Sequence, residues 1–441
     1  IIGAGPGGYA AAIRAAQLGV KVALIEKTDV GGICLNLGCI PSKAVLASVD
    51  KYNEAKKLSK FGIKAKDISF DYKEISDRKQ KIVEKLKNGL AMLIKSNGID
   101  LIKGEACIES PDSLKIIGEN ETILKLIKFK NLIIATGSRT VSLPNLEIDH
   151  NFILDSNDIL SLEKLPESVL IVGSGAIGIE WARVFHGFEK KAVITEISDT
   201  LAPMLDNSLS EYIEKTIKRK RIPFYKNTFV EKVEGKSVTL SNGVKVEPDI
   251  IFLAAGRVPN ADIKSIEKLS KLKIEKNNKF FKVDNNLKTN IENVYAVGDV
   301  TGLYPLAHVA THQGIKAVEH IILNKQANIN YHHVPFVLYG KPEIASVGYT
   351  EQELIKENIV YKKSVFPLGA LGKAIIEDQT EGFIKILANN EKILGVHIVS
   401  DHGDDLIQQA VIAMNSGMTP QELRETIFPH PSYSEAIHEA V

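Results

Sequence analysis

Short aliphatic runs recur along the chain, and several of them end in glycine. Ile1-Ile2-Gly3 opens it, an Ala-rich stretch of helical texture follows, and then comes Val22-Ala23-Leu24-Ile25-Glu26. Val169-Leu170-Ile171-Val172-Gly173, a second helical stretch and Ala192-Val193-Ile194-Thr195-Glu196 repeat the design. Each copy predicts a βαβ unit. Leu132-Ile133-Ile134-Ala135-Thr136-Gly137 closes the first unit, and Ile250-Ile251-Phe252-Leu253-Ala254-Ala255-Gly256-Arg257 closes the second. Both predict a buried strand ending in glycine at a loop. Asn293-Val294-Tyr295-Ala296-Val297-Gly298-Asp299 adds a short strand that ends in a carboxylate.

Elsewhere the texture changes. From Ser48 to Leu93 the pattern is Lys/Glu-rich and helical, which predicts a solvated helical excursion. From about residue 334, strands at Ile344–Val347, Phe383–Leu387 and Leu394–Val399 alternate with helices and carry no nucleotide signature. The expected fold class is therefore α/β, with two Rossmann-like dinucleotide-binding domains and a C-terminal α+β domain.

Composition narrows the function. A chain of 441 residues is too long for one hydrophobic core. Hydrophobic content of 44% and charged content of 25% are those of a globular protein. A formal charge of +1 provides no bulk field for nucleic acid or an anionic membrane. No apolar run approaches the roughly 18–20 residues of a membrane span. The chain opens without methionine, already inside a strand, so residues upstream are expected. Three cysteines exclude a disulfide-stapled scaffold.

In each repeat an acid follows the first glycine by 23 positions, Glu26 after Gly3 and Glu196 after Gly173. Gly3, Gly5 and Gly8, like Gly173, Gly175 and Gly178, would set helix amides against a pyrophosphate, with the acid on a ribose. Gly178 and Glu196 favour NAD over NADP, because a carboxylate repels a 2′-phosphate. Lys190 and Lys191, just before the acid, weigh the other way.

Gly31-Gly32-Ile33-Cys34-Leu35-Asn36-Leu37-Gly38-Cys39-Ile40-Pro41-Ser42-Lys43 carries the sharpest chemistry. Pro41 suits the first turn of a helix, which puts Cys39 where the helix dipole favours a thiolate. The spacer brings both cysteines within disulfide range if Cys34 sits in the entering turn. Two structural thiols or half of a metal site are the alternatives. A metal needs further ligands, and Cys107, which reads as a core residue, is the only other cysteine. No metal is expected. His430, five residues before Glu435, can take a thiol proton, and the carboxylate would fix its tautomer.

These motifs resemble the class I pyridine nucleotide–disulfide oxidoreductases over essentially the whole chain. The matches are GAGPGG at the start, PSK at 41–43, ATGS at 135–138, GSGAIGIE at 173–180 and AGRVPN at 255–260. They continue with AVGDV at 296–300, LAH at 306–308, PEIASVG at 342–348 and HPSYSEA at 430–436. The nearest branch reoxidises the dihydrolipoyl groups of 2-oxo acid dehydrogenase complexes or the glycine-cleavage system.

The resemblance implies an FAD domain at 1–145 completed by 269–333, an NAD domain at 146–268 and a dimerisation domain at 334–441. Gly3, Gly5, Gly8 and Glu26 would hold FAD, helped by the backbone at Gly104, Thr136 and Gly137. Asp299 would hold a ribityl hydroxyl, and the Ala307 amide the flavin ring. Lys43, paired with Glu180, would lie by the flavin N5 edge. Gly173, Gly175, Gly178 and Glu196 would bind NAD, with Val230 and Gly256 lining the site. Cys34 and Cys39 would be the redox disulfide. His430 and Glu435 would be the acid–base dyad, reaching the disulfide of the partner in a homodimer. Bacterial cytoplasm is the expected compartment, or the mitochondrial matrix in a eukaryote.

Departures fall outside the proposed catalytic atoms. Phe428-Pro429 replaces His-Ala, Ser432 replaces threonine, Gly340-Lys341 departs from Tyr-Thr-x-Pro, and His312 stands where an acid is common. A glutathione-type reductase is opposed by Glu196, Gly178 and Ser42. A mercuric reductase is opposed by the lack of a C-terminal cysteine pair. A non-catalytic flavoprotein subunit is opposed by the intact redox and dyad residues.

Overall fold

The computed structural model describes residues 1–118, 122–261 and 274–441. The chain divides into two compact units. The first comprises Ile1–Ala44, Glu74–Val141 and Gly256–Ile329. The second comprises Val45–Lys73, Ser142–Ala255 and Asn330–Val441. The boundary expected at 268/269 lies outside the described residues.

In the first unit, Ile2 bridges Ile25 on one side and Ile134 on the other, both in parallel. Asp100–Lys103 pairs outside Ala23–Glu26, and Val294–Ala296 pairs outside Leu132–Ile134. The opening segment therefore lies at the middle of a parallel sheet, and its loop feeds the helix Pro6–Gln17. In the second unit the sheet runs Phe224–Tyr225, Lys191–Thr195, Ser168–Val172, Ile250–Leu253 and Ile153–Leu154. Again the strand before the glycine loop is central, and Ala176–Gly187 is its helix. In such sheets ligands bind beyond the carboxyl ends, where the strand order reverses.

The duplication extends further than its fingerprints. Each unit carries a three-stranded antiparallel meander: Glu105–Ser110, Ser113–Ile117 and Ile123–Lys128 in the first, and Val230–Glu234, Ser237–Leu240 and Lys245–Val246 in the second. Cys107 is buried within the first meander.

The C-terminal part is an antiparallel sheet ordered Phe336–Leu338, Glu343–Gly348, Ile393–Ser400, Phe383–Ala388 and Lys362–Pro367. Every residue of Ile393–Ser400 is buried, as a central strand requires. The helix Gly403–Asn415 buries Leu406, Ile407, Ala410 and Val411 in the same core. Within this unit Lys385, itself buried, lies 2.8 Å from Asp206 and 2.7 Å from Glu351.

The excursion after Ser48 resolves into the end of the helix Cys39–Ala55, a short 3-10 turn at Leu58–Phe61 and the helix Tyr72–Ser96. One expectation needs correction. Gly32–Ala55 is, by length and composition, apolar enough to cross a membrane. Gly38 interrupts it, however, and within the segment Ala44, Val45, Leu46 and Val49 are buried.

Candidate redox and nucleotide sites

The first glycine loop is built by close contact. Gly3 adopts φ +94°, a region that favours glycine. A Cβ at Gly8 would stand 1.8 Å from the Gly3 carbonyl oxygen, so the helix can begin this near its strand only with glycine there. The second loop repeats this, with a Cβ at Gly178 falling 2.0 Å from the Gly173 oxygen. The middle glycines differ. A Cβ at Gly5 would meet only the Gly32 Cα at 3.8 Å, and one at Gly175 only the Met204 methyl at 3.7 Å. Packing does not demand glycine at either place. The helix N-terminal amides are thus left approachable, which fits a pyrophosphate.

The acids occupy matching positions. Glu26 Oε2 accepts the Ala4 amide at 2.7 Å, and its Oε1 the Thr28 amide at 2.8 Å. Glu196 Oε2 accepts the Ser174 amide at 2.8 Å, and its Oε1 the Ser198 amide at 2.9 Å. Burial pushes the Glu196 carboxyl up, but the Ser174 hydroxyl at 2.6 Å and the amides outweigh it. The net direction is below the ordinary carboxylate value, so Glu196 stands ionised at the end of its strand.

The cysteine segment lies directly across the first loop. The Gly31 amide donates to the Ala4 carbonyl at 2.8 Å, and a Cβ on Gly32 would reach the Gly5 Cα at 2.7 Å. Cys34 sits inside the short helix Gly32–Leu37 and not in an entering turn, the placement on which disulfide range was conditioned. Asn36 holds that helix by donating to Val30 O at 3.0 Å and Gly32 O at 2.9 Å. Gly38 then breaks the helix close against Ile33; a Cβ there would stand 3.0 Å from the Ile33 oxygen. Cys39 is the first residue of the next helix. The fold returns its thiol to Cys34, and the two are hydrogen-bonded. That bond, then burial, pushes the Cys34 thiol far above its ordinary range, while Lys43 pulls it down. Cys39, at a helix N-terminus, is the partner whose thiolate the helix dipole favours.

The first unit gathers further expected residues. Asp299 Oδ2 accepts the buried Ser138 hydroxyl at 2.6 Å. Thr136 Oγ1 donates to Asn260 O at 2.9 Å, and the Asn260 amide to Gly137 O at 2.8 Å. Gly104 donates to Glu26 O at 2.9 Å, and a Cβ there would strike Ile116 at 2.5 Å. Ala307 is the first residue of Ala307–Leu323, so its amide belongs to the turn without helical acceptors. Gly256 falls in the same unit.

In the second unit, buried Glu180 accepts the Tyr339 amide at 3.1 Å. Arg183 Nη1, one turn along, donates to Tyr339 O at 3.0 Å. A Cβ at Gly340 would lie 2.5 Å from that nitrogen, so the departure at 340 is the space the arginine takes. Val230 is a core side chain, so only its backbone can line a nucleotide site. His430 is largely exposed, and its Nδ1 stands 2.8 Å from Glu435 Oε1. Glu435 Oε2 accepts the Ser432 amide at 2.7 Å. The His430 contact, then this amide, holds the Glu435 carboxyl below its ordinary value.

Sequence reasoning missed Asn36, Ser138 and Gln313. Gln313 is fully buried and accepts the Gly298 amide at 2.6 Å, shaping the turn before Asp299. Its signal was a polar residue on the apolar face of a helix.

Residues 1–314 match the family model for pyridine nucleotide-disulphide oxidoreductases, and residues 334–441 match the dimerisation domain of the same family. A dihydrolipoyl dehydrogenase of Bacillus subtilis is 36% identical over 451 residues, covering 100% of this chain and 94% of its own. The mitochondrial dihydrolipoyl dehydrogenase 2 of Arabidopsis thaliana is 37% identical, at 100% and 89% coverage. Among solved structures, LpdA of Mycobacterium tuberculosis superposes with a TM-score of 0.92 at 25% identity, covering 100% and 98% of the two chains. The HOCl-induced flavoprotein disulfide reductase RclA of Escherichia coli does so at 0.87, with 26% identity and coverage of 100% and 98%.

Proposed function

Since the chain belongs to the pyridine nucleotide-disulphide oxidoreductase family, we infer that it is a dihydrolipoyl dehydrogenase dependent on FAD and NAD. It oxidises protein-bound dihydrolipoamide to lipoamide. The observation that carries this reading is the hydrogen-bonded Cys34/Cys39 pair lying across the first glycine loop.

Gly3, Gly5, Gly8 and Glu26 hold FAD, aided by Gly104, Thr136, Gly137, Asp299 and Ala307; Lys43 and Glu180 serve its N5 edge. Gly173, Gly175, Gly178, Glu196, Val230 and Gly256 hold NAD. FAD, when bound, would supply a two-electron acceptor for the thiol pair and a hydride donor for NAD+. His430, steadied by Glu435, removes a proton from one substrate thiol. The substrate thiolate attacks Cys34 of the Cys34–Cys39 disulfide, and the S–S bond breaks to release Cys39 as a thiolate. The second substrate thiol displaces Cys34, closing the substrate disulfide. The oxidised lipoyl group leaves, and both enzyme sulfurs are reduced.

The working form is a homodimer in which His430 of one protomer serves the cysteines of the other. Its electron donors are lipoyl domains of 2-oxo acid dehydrogenase complexes or of a glycine-cleavage system. The assigned compartment is the bacterial cytoplasm, or the mitochondrial matrix. The domain assignment is 1–145 with 269–333 for FAD, 146–268 for NAD and 334–441 for dimerisation.

Anaerobic addition of one equivalent of dihydrolipoamide should produce a long-wavelength flavin band, from a Cys39 thiolate beside oxidised flavin. H430Q should cripple dithiol turnover with flavin still bound. An unchanged spectrum, or undiminished turnover in H430Q, refutes the assignment. Preference for NADPH would point to the glutathione-type alternative.

A further inference from the structure

The loop that carries His430 and Glu435 is exposed at its catalytic end and anchored at Tyr433. Tyr433 is buried, with 7% of its surface exposed, while the His430 side chain is 79% exposed. The Tyr433 ring packs on the His402 ring with centroids 4.2 Å apart and planes tilted by 41°. Its hydroxyl donates to Gln379 Oε1 at 2.7 Å. The next residue, Ser434, accepts from Gln409 Nε2 at 2.8 Å. Two segments, the turn at Gln379 and the helix Gly403–Asn415 with its cap residue His402, thus grip two consecutive residues lying immediately before Glu435.

His402 precedes the helix Gly403–Asn415 and offers that helix no side-chain cap. Its backbone amide donates to Ser400 Oγ at 3.2 Å, which holds it in the turn after the central strand. Its Nε2 is buried and, among the described residues, has no hydrogen-bond partner; Glu377 Oε2 is 3.8 Å away. A buried imidazole nitrogen left without a bond is costly in a purely structural position. What this side chain supplies is its ring face, to Tyr433.

We propose that His402 and Gln379 are positioning residues for the acid–base dyad, acting through Tyr433 to fix Glu435, and through it the His430 imidazole. Neither residue touches substrate. Both lie in turns beside the core that buries Tyr433, Gln379 between the helix Gly372–Ile376 and the strand Phe383–Ala388 and His402 before the helix Gly403–Asn415, whereas the His430 side chain is exposed. Without the ring seat, Tyr433 loses its stop, and the Ser432–Glu435 turn that holds the carboxylate loosens with it. Misplacement of about 1 Å in a reacting group is enough to cost on the order of a hundredfold in rate.

This inference rests on the dyad reading above, so H430Q is the reference variant. Holoenzyme of H402A, H402F and Q379L is assayed for dihydrolipoamide:NAD+ turnover across pH and for NADH:ferricyanide turnover, which does not call on the dyad. H402A should lower kcat with dihydrolipoamide about tenfold and shift the acid limb of its pH profile. It should leave KM for NAD+, flavin content and ferricyanide turnover at parental values. H402F keeps a ring face and should recover most of the loss, while Q379L should lose about threefold. If H402A fails to fold, the Q379L and H402F profiles still decide. Parental dithiol kinetics in H402A and Q379L, alongside a crippled H430Q, overturn the positioning role. Equal loss in both assays marks a general structural defect and also overturns it. Parental turnover in H430Q removes the dyad itself.

Discussion

Glu435 Oε1 stands 2.8 Å from His430 Nδ1, while its other oxygen is tied to the Ser432 amide at 2.7 Å. The carboxylate therefore fixes one imidazole nitrogen and leaves Nε2 as the edge that the proposed dithiol substrate would meet.

E435Q tests the charge on that contact. The amide keeps the shape but not the negative charge, so an imidazolium is less well stabilised. Dithiol turnover should fall by one to two orders of magnitude, and its acid limb should move to lower pH. Flavin content should not change. Steady-state kinetics across pH check this; a profile identical to the parent's would refute it.

The two cysteines should separate spectroscopically. The bond to Cys39, then burial, disfavours a Cys34 thiolate. C34S leaves Cys39 as a lone thiolate beside the flavin and should show the long-wavelength band with no reductant added. C39S should show none, even when reduced. Dithiol turnover should vanish in both. A band in C39S would reverse the assignment.

The two fingerprints should fail separately. An alanine Cβ at position 8 or 178 falls within 2.0 Å of a carbonyl oxygen, closer than real contacts allow. G8A should purify with little flavin. G178A should keep its flavin, while KM for NAD+ rises at least tenfold. Each should lose about 1–3 kcal/mol of stability from forced overpacking. Flavin-to-protein absorbance ratios and NAD+ titrations measure both effects.

Acid should destabilise the second unit in two stages. Burial pulls His397 down to about 4. A group depressed in the folded state contributes stability above its unfolded value, and loses it as pH falls through the folded one. The His397 contribution, roughly 3 kcal/mol, should disappear between about pH 6.5 and 4. Asp206 and Glu351 follow below the ordinary carboxylate range: against burial, His397, the Glu351 amide and then Lys385 depress Asp206, and Lys385 first among its partners holds the Glu351 carboxyl down to about 2. K385M strands a fully buried carboxylate and should cost roughly 3–5 kcal/mol at neutral pH. Urea midpoints from pH 7 to 3 test the series; a flat midpoint above pH 4 would exclude the histidine stage.

Legibility tracked how far a feature depends on backbone approach. Gly8 and Gly178 announce themselves because no other residue fits, and Glu26 and Glu196 follow at a fixed strand length. The meanders left no such mark. Ile123, Leu124 and Leu126 are exposed in the last strand of the first one, so no alternation of buried and exposed positions betrayed it. The place of Cys34 stayed open in the sequence, because Gly31-Gly32 does not fix the local backbone; Asn36 bonding back to Gly32 closes a helical turn around it. The seat of Tyr433 joins residues 379, 402 and 409, a convergence that only the folded sheet creates.

The two glycine loops are roofed differently. Over Gly5 lies backbone, the Gly31-Gly32 segment, hydrogen-bonded in place; near Gly175 stands only the flexible end of Met204. A methionine swings aside at little cost, while a tied segment of main chain does not. On the proposed reading, one copy of the repeated unit is a residence and the other a doorway: FAD would stay in the first through many catalytic cycles, and NAD would enter and leave the second with every one.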